Sequence, residues 1–351
     1  MRKKLLSAAA AAVALTVLTA GCGTNSTGGS TSGGSATGSA SGNKSSLKVG
    51  LVTDTGGLND NSFNHLAYVG LQKAEGQLGI SGSVVQSQSE SDYVPNLSKY
   101  AQEGYGLVIA VGYLMQDAVE QVAQQYPKTK FLIIDDAITD RPNVSSAIFK
   151  SEQAGYLAGA MAGLLETGTS LKGLNSQNVV GVIGGQKIPP VDSYIAGFQQ
   201  GFKKEDPNGK VLLQYTNSFT DQALGSQYAQ NEMSQGADIV FPVAGGCGIG
   251  AISAVKSAGK YAIGVDTDQA YLAPQNVLTS AMKGVDTSVF DTIKSVQSNS
   301  FKSGVTNFDL TGNGVGLGKI MSGVPQSVID KVNSLKQEIS SGKIQVSANV
   351  Q

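Results

Sequence analysis

The amino-acid sequence predicts an α/β protein built from two similar, doubly wound, parallel-sheet lobes. Three observations carry that expectation. Short Val- and Ile-rich runs alternate with helical patterns from Leu47 onward. The runs lack polar–apolar alternation, as strands of a parallel sheet covered on both faces do. A first series of runs also recurs in the second half of the chain in the same order.

The first series reads LKVGLVT (47–53), SVVQSQ (83–88), GLVIAVG (106–112), KFLIID (130–135) and SSAIF (145–149). The second reads NVVGVIGG (178–185), KVLLQYT (210–216), ADIVFPVAGG (237–246), KYAIGVD (260–266) and NVLTSAM (276–282). Helical patterns fall between them at 62–78, 95–104, 115–125, 151–166, 192–204, 221–235 and 248–258. Such alternation builds βαβ units. The repeat is visible residue by residue: VGLV (49–52) matches VGVI (180–183), VVQSQSESD (84–92) matches LLQYTNSFTD (212–221), and FLIID (131–135) matches YAIGVD (261–266).

The body is preceded by a leader and a tether. MRKKLLSAAAAAVALTVLTAGC opens with basic residues, continues with an apolar run and ends in small residues. This is the pattern of a secretory signal, too short and wrongly flanked for a spanning helix. LTAGC resembles the lipobox of bacterial lipoproteins, although Thr19 stands where leucine is usual and Leu18 lies one position further back. Residues 1–22 are therefore expected to be a lipoprotein signal with Cys22 lipidated. Residues 23–46 consist almost wholly of Gly, Ser, Thr and Ala. They have too little apolar surface to fold and are expected to form a disordered linker spanning roughly 25–30 Å. Two acyl chains would hold such a body at the outer face of a cell membrane, whereas one would hold it weakly. The second cysteine, Cys247, then has no disulfide partner.

Composition excludes several functions. With net charge −1 and only Arg2 and Arg141 as arginines, the chain has no electrostatic footprint for nucleic acid. A single histidine, His65, leaves no hydrolase triad and, with one free thiol, no zinc set. VAGGCGIGAIS (243–253) opens a helix after a strand but lacks the acidic partner of a dinucleotide site. No cofactor and no metal are expected, and the chain is expected to act as a monomer and not as an enzyme.

Binding chemistry fits better. The carboxyl ends of the strands carry Asp54, Asp135, Asp136, Gly245, Gly246 and Asp266. Ligands of open α/β sheets bind beyond those ends, and two such rims facing across a hinge would enclose a small molecule. Carboxylates there would accept hydrogen bonds from hydroxyls or ring N–H groups, and the glycines would let backbone approach closely. Phe63, at the tip of LVTDTGGLNDNSFN, would lie against a flat ligand face. Phe219 would serve either as a second ring or as a loop anchor. Lys283 would reach the cleft from the SAMK segment. Acids, glycines and a ring suit a nucleoside, or else a sugar.

GLVTDTGGLNDNSFNHLAYVGL, VGVIGGQKIPPVDSYIAGFQQGFKK, SFTDQALGSQYAQNEMSQGADIVFPVAGGCGIG and GVDTDQAYLAPQNVLTSAMK resemble the basic membrane protein family. These are substrate-binding lipoproteins of ABC importers, and characterised members bind purine nucleosides. The resemblance implies a type I periplasmic-binding-protein fold. Residues 47–150 plus 275–305 would form lobe one, and 151–274 plus 306–351 lobe two. It implies that Asp54 and Asp135 or Asp136 face the base and that Phe63 stacks on it. Asp266 would take ribose hydroxyls, with Asn64, Gly245 and Lys283 lining the site. Where the family commonly has Lys or Arg before SFN, this chain has Asn61. The implied partners are a purine nucleoside and an ABC permease. A receptor for a simple sugar or signal molecule, a nucleoside-processing enzyme and an adhesive lipoprotein are the alternatives.

Overall fold

The computed structural model describes residues 45–168 and 171–350. The leader, Cys22 and the 23–44 portion of the tether lie outside the described residues.

Five strands open the chain in the described region: β1 (Lys48–Thr53), β2 (Ser81–Gln86), β3 (Leu107–Val111), β4 (Lys130–Ile134) and β5 (Val144–Phe149). Five more follow: β6 (Val179–Gly184), β7 (Lys210–Tyr215), β8 (Ala237–Val243), β9 (Tyr261–Asp266) and β10 (Val277–Lys283). The strand order is β5-β4-β3-β1-β2 in one sheet and β10-β9-β8-β6-β7 in the other. The two halves thus share one topology, as the repeated sequence pattern requires. All pairings among these ten strands are parallel. Two short strands complete the sheets. β11 (Gly304–Phe308) adds in parallel to β5, and β12 (Val315–Leu317) adds antiparallel to β10.

Burial explains why the strands read as unbroken apolar runs. Every residue of β3, β6, β8 and β9 is buried, because helices cover both faces. In the first lobe these helices are α1 (Phe63–Leu78), α2 (Tyr93–Gln102) and α3 (Gln116–Gln125). In the second they are α4 (Ser151–Gly168), α5 (Pro189–Glu205), α6 (Gln222–Ser234) and α7 (Gly245–Ser257). Two further helices, α8 (Val285–Gln297) and α9 (Gln326–Ser340), went unread in the sequence. The α9 signal was present: Val328, Val332, Leu335 and Ile339 form an apolar stripe of helical period.

One lobe boundary needs correction. The expected division gave residues 275–305 to the first lobe. β10 instead pairs in parallel with β9 and is the counterpart of β5 in the duplicated order. Only α8, which packs on α1, β3 and β4, and β11 return to the first lobe. The chain therefore crosses between lobes after β5, after β10 and after β11. These three adjacent crossovers form the hinge.

Lobe two holds its second layer together through small residues. α4 and α5 approach so closely that a Cβ at Gly155 would lie 2.2 Å from the Tyr194 carbonyl oxygen, and one at Gly159 2.0 Å from that of Phe198. The contact is reciprocal, since a Cβ at Gly197 would lie 2.0 Å from the Glu152 carbonyl. No side chain fits such a gap, so the glycines set the helix spacing and with it the position of Tyr194. Gly159→Ala is expected to destabilise the protein by about 1–3 kcal/mol through overpacking. A fall in the urea midpoint at unchanged slope would record it.

Candidate functional site

A cavity of about 560 Å³, counted out to its mouth, lies where the carboxyl ends of the two sheets face each other. β1 runs into Asp54, β4 runs into Asp135 and β9 ends at Asp266. Three helices begin at the same rim. α1 starts at Phe63, α5 at Pro189 and α7 at Gly245. Proline suits the first turn of α5, where its missing N–H has no intrahelical partner. The positive ends of three helix dipoles therefore face the carboxylates and moderate their repulsion.

The first loop is built around two acids. Asp60 accepts from the backbone N–H groups of Ser62 (3.0 Å), Asn64 (2.8 Å) and His65 (3.1 Å). It thereby satisfies the orphan donors at the start of α1. Asn64 donates its amide hydrogens to Asp54 Oδ1 (2.7 Å) and Asp60 Oδ2 (3.2 Å), and its Oδ1 accepts from the Asp54 N–H (3.2 Å). With Asn64 spent in this way, its action is to hold Asp54. Oδ1 of Asp54 also accepts from Gly56 N–H (2.8 Å). Among the described residues no hydrogen bond reaches Asp54 Oδ2. That oxygen lies against Gly112, where a Cβ would be 3.0 Å from it. Gly112 has φ 128°, a conformation that also favours glycine. Burial pushes the Asp54 carboxyl up to about 6, against the pull of Asn64 and Gly56.

A second group links the lobes. Asp135 (φ 68°) and Asp266 (φ 62°) occupy equivalent ends of the duplicated strands, and both adopt left-handed backbone. Non-glycine residues seldom take that conformation, and it concentrates at functional sites. Lys283, the last residue of β10, donates to Asp135 Oδ2 at 2.7 Å and stands 4.0 Å from Asp266 Oδ1. Its ammonium lies 5.1 Å from the Phe63 ring centroid, 5.2 Å from Tyr194 and 5.5 Å from Phe149, within cation–π reach of all three. The Tyr194 hydroxyl donates to Asp266 Oδ1 (3.2 Å), and the Ser62 hydroxyl donates to Asp266 Oδ2 (2.6 Å). Burial raises the Asp135 carboxyl despite the opposing charge of Lys283.

Of the residues singled out in the sequence, Asp54, Phe63, Asn64, Asp135, Phe219, Gly245 and Asp266 line the cavity. Three do not. Lys283 sits behind the wall, enclosed by its acids and rings. Gly246 lies beneath Phe219, whose carbonyl oxygen a Cβ there would meet at 3.1 Å. Asp136 turns away, because the left-handed φ of 68° at Asp135 ends the strand and leaves the next side chain outside the cavity. Its Oδ1 accepts from the Ala137 N–H, and its neighbouring charges are Glu120 and Asp117. Phe219 comes from the second lobe. Its ring packs where a Cβ at Gly185 would be 2.3 Å from it, and its Cβ lies 3.7 Å from that position at Gly56 of the first lobe.

The sequence reading missed Tyr194, Leu114 and the Ile188–Val191 turn, all part of the wall. The turn had a signal, since KIPP follows one residue after the strand VVGVIGG. Tyr194 had none, because its place at the site depends on how closely α5 approaches α4. Two other reactive groups stand aside. His65 is exposed. Cys247 is buried beside the Thr216 hydroxyl, and burial pushes its thiol up. Among the described residues no group of acids, histidines and cysteines forms a metal site, and no helix is long and apolar enough to cross a membrane.

Residues 47–350 match the family model described as "ABC transporter substrate-binding protein PnrA-like". The chain is 37% identical over 320 residues to a CD4+ T-cell-stimulating antigen of Listeria monocytogenes, covering 85% of this chain and 87% of that one. It is 33% identical over 368 residues to the ABC transporter nucleoside-binding protein BmpA of Lactococcus lactis, covering 99% of each. Its fold superposes on a crystal structure of an ABC transporter solute-binding protein from Aeropyrum pernix with TM-score 0.80 at 27% identity, over 87% of this chain and 94% of that one. The two-lobed type I fold expected from the family resemblance is the fold found.

Asp54→Asn should alter the pH dependence of stability with a definite sign. A carboxyl raised from 3.8 to about 6 on folding contributes stability at low pH that is lost as pH rises through its folded value. The asparagine variant lacks this loss. Its urea midpoint relative to the parent should therefore rise between pH 4 and 6 and level off above 7. A difference that is flat over that range would contradict the assignment.

Proposed function

Since the chain belongs to the PnrA-like, or basic membrane protein, family of ABC-transporter substrate-binding proteins, we propose that it binds a purine nucleoside between its lobes and delivers it to a membrane permease. The carrying observation is the combination of rings and acids on one cavity wall. Phe63 from the first lobe and Phe219 from the second line it together with the carboxylates of Asp54, Asp135 and Asp266. Two flat apolar surfaces suit a heteroaromatic base. The acids at the strand ends suit donors, namely ring N–H groups and sugar hydroxyls. Asp54, through its free Oδ2, faces the base in this reading, and Asp266 faces the ribose. Lys283 takes no direct ligand contact and instead holds Asp135 and Asp266 in place.

Charge supports an uncharged ligand. Four acids, Asp54, Asp60, Asp135 and Asp266, line the cavity, and one buried lysine pairs with Asp135 and stands 4.0 Å from Asp266. A phosphate would enter against that field, so a nucleotide is disfavoured. The similar protein from Lactococcus lactis is named as nucleoside-binding, which agrees with this reading. Two flat rings on facing lobes match a heteroaromatic base better than a sugar alone. Neither the thiol of Cys247 nor the ring of His65 lines the cavity, so a thiolate or histidine mechanism has no group there.

Calorimetry with inosine, adenosine, guanosine and ribose on the chain from Gly42 onward tests the ligand class. At least one nucleoside should bind, and Phe63→Ala should weaken it by the roughly 1–3 kcal/mol of a base–aromatic stack. Ribose binding that Phe63→Ala leaves unchanged, with no heat from any nucleoside, would favour the sugar reading instead.

The localisation we infer is the extracytoplasmic face of the cell membrane, with Cys22 acylated and the Gly/Ser linker as tether. Labelled palmitate should enter the full-length chain in its native host and fail to enter Cys22→Ala, which should appear in the soluble fraction. Equal labelling of both would refute the anchor.

A further inference from the structure

Beside the cavity the two lobes are joined by side-chain hydrogen bonds. Away from the three crossovers, the side-chain hydrogen bonds between lobes are those of Ser62 and Gln269, among the described residues. The Ser62 hydroxyl, on the loop after β1, donates to Asp266 Oδ2 at 2.6 Å. Gln269, on the loop after β9, donates its Nε2 to the Asn61 carbonyl oxygen at 3.1 Å. Neither Asn61, Ser62 nor Gln269 lines the cavity, and both side chains are fully or almost fully buried.

Each donor is prepared within its own lobe. The Gln269 Oε1 accepts from the Val265 N–H (3.0 Å), and its backbone N–H donates to Ser280 Oγ (3.0 Å), so the amide orientation is fixed. The Ser62 N–H is held by Asp60 Oδ1. Asn61 takes the left-handed φ of 49°, which few residue types accept readily. These groups therefore lose little freedom when the lobes meet.

We propose that Ser62 and Gln269 form a closure latch that positions the lobes and sets affinity through the population of the closed form. The latch contacts no ligand. It strengthens every ligand by the same factor and does not choose among them, because apparent affinity scales with the fraction of binding-competent protein. Asp266 joins the latch to the site, since it accepts from Ser62 while lining the cavity. The proposal rests on the binding-protein reading only in its ligand arm.

Spin labels at Gln72→Cys on α1 and Lys256→Cys on α7, both exposed positions, report lobe separation in the chain from Gly42 onward. The native Cys247 is buried and remains unlabelled. In ligand-free protein, electron–electron distance measurements should show a short and a long population. Ser62→Ala removes one bond, and Gln269→Glu removes the other while retaining the acceptor for Val265. Each should lower the short-to-long ratio by about two- to tenfold, the range for one lost hydrogen bond. Inosine should dissociate faster by a similar factor, with the inosine-to-adenosine affinity ratio unchanged.

Ligand-free distributions that superimpose on the parent, or a parent with the long distance alone, would overturn the latch. Should Gln269→Glu fail to fold, the smaller change Ser62→Ala decides. If no nucleoside binds, the nucleoside reading falls while the ligand-free distances still judge the latch.

Discussion

The structure turns on one buried ammonium between two carboxylates. Lys283 is the final residue of β10 and stands next to the second crossover. From there it neutralises Asp135 at the end of the first sheet and approaches Asp266 at the end of the second. Removing one partner of a buried ion pair leaves a charge without compensation and costs about 3–5 kcal/mol. The pairing therefore ties the two strand ends to one fixed point close to the hinge. Lobes that swing about this point keep their acids in register. The three rings around the ammonium exclude water and add cation–π attraction, and Phe63 serves the cavity from its other side.

The duplication explains how such an arrangement arises. Asp135 and Asp266 hold equivalent places in two copies of one strand order, and both carry the same left-handed backbone. Facing the copies across a hinge brings the equivalent residues together. One lysine then serves both acids, and the remaining acid density is moderated by the N-termini of α1, α5 and α7. Asp54 and Asp60 are held by their own loop, in which Asn64 spends its amide on fixing both. Each half of such a site is held within its own lobe, and preorganisation of that kind lowers the cost of binding.

Closure and recognition use largely different residues and meet at Asp266, which accepts from Ser62 while lining the cavity. Rings and carboxylates face the cavity, whereas Ser62 and Gln269 join the lobes beside it. A binding protein that opens and closes benefits from that separation. Changing the latch alters how often the closed form is populated, and changing the wall alters what the closed form accepts. A difference of a few kcal/mol between open and closed forms is the scale on which single hydrogen bonds matter.

The sequence by itself determined the α/β class, the duplication and most of the rim. Buried parallel strands must be continuously apolar, and that signal is local. Acids or glycines at the ends of such runs fall at the site by topology alone, as Asp54, Asp135, Gly245 and Asp266 do. Tertiary structure alone decided which of two adjacent acids faces the cavity, because Asp135 turns inward through a positive φ that leaves Asp136 outside. Strand pairing also overturned the lobe boundary implied by the resemblance: NVLTSAM, legible as the fifth run of the second series, pairs with β9 in the second sheet. The roles of Lys283, Tyr194 and Gln269 were fixed the same way. Each depends on bringing together residues from different strands, helices or lobes, and no spacing along the chain encodes those distances.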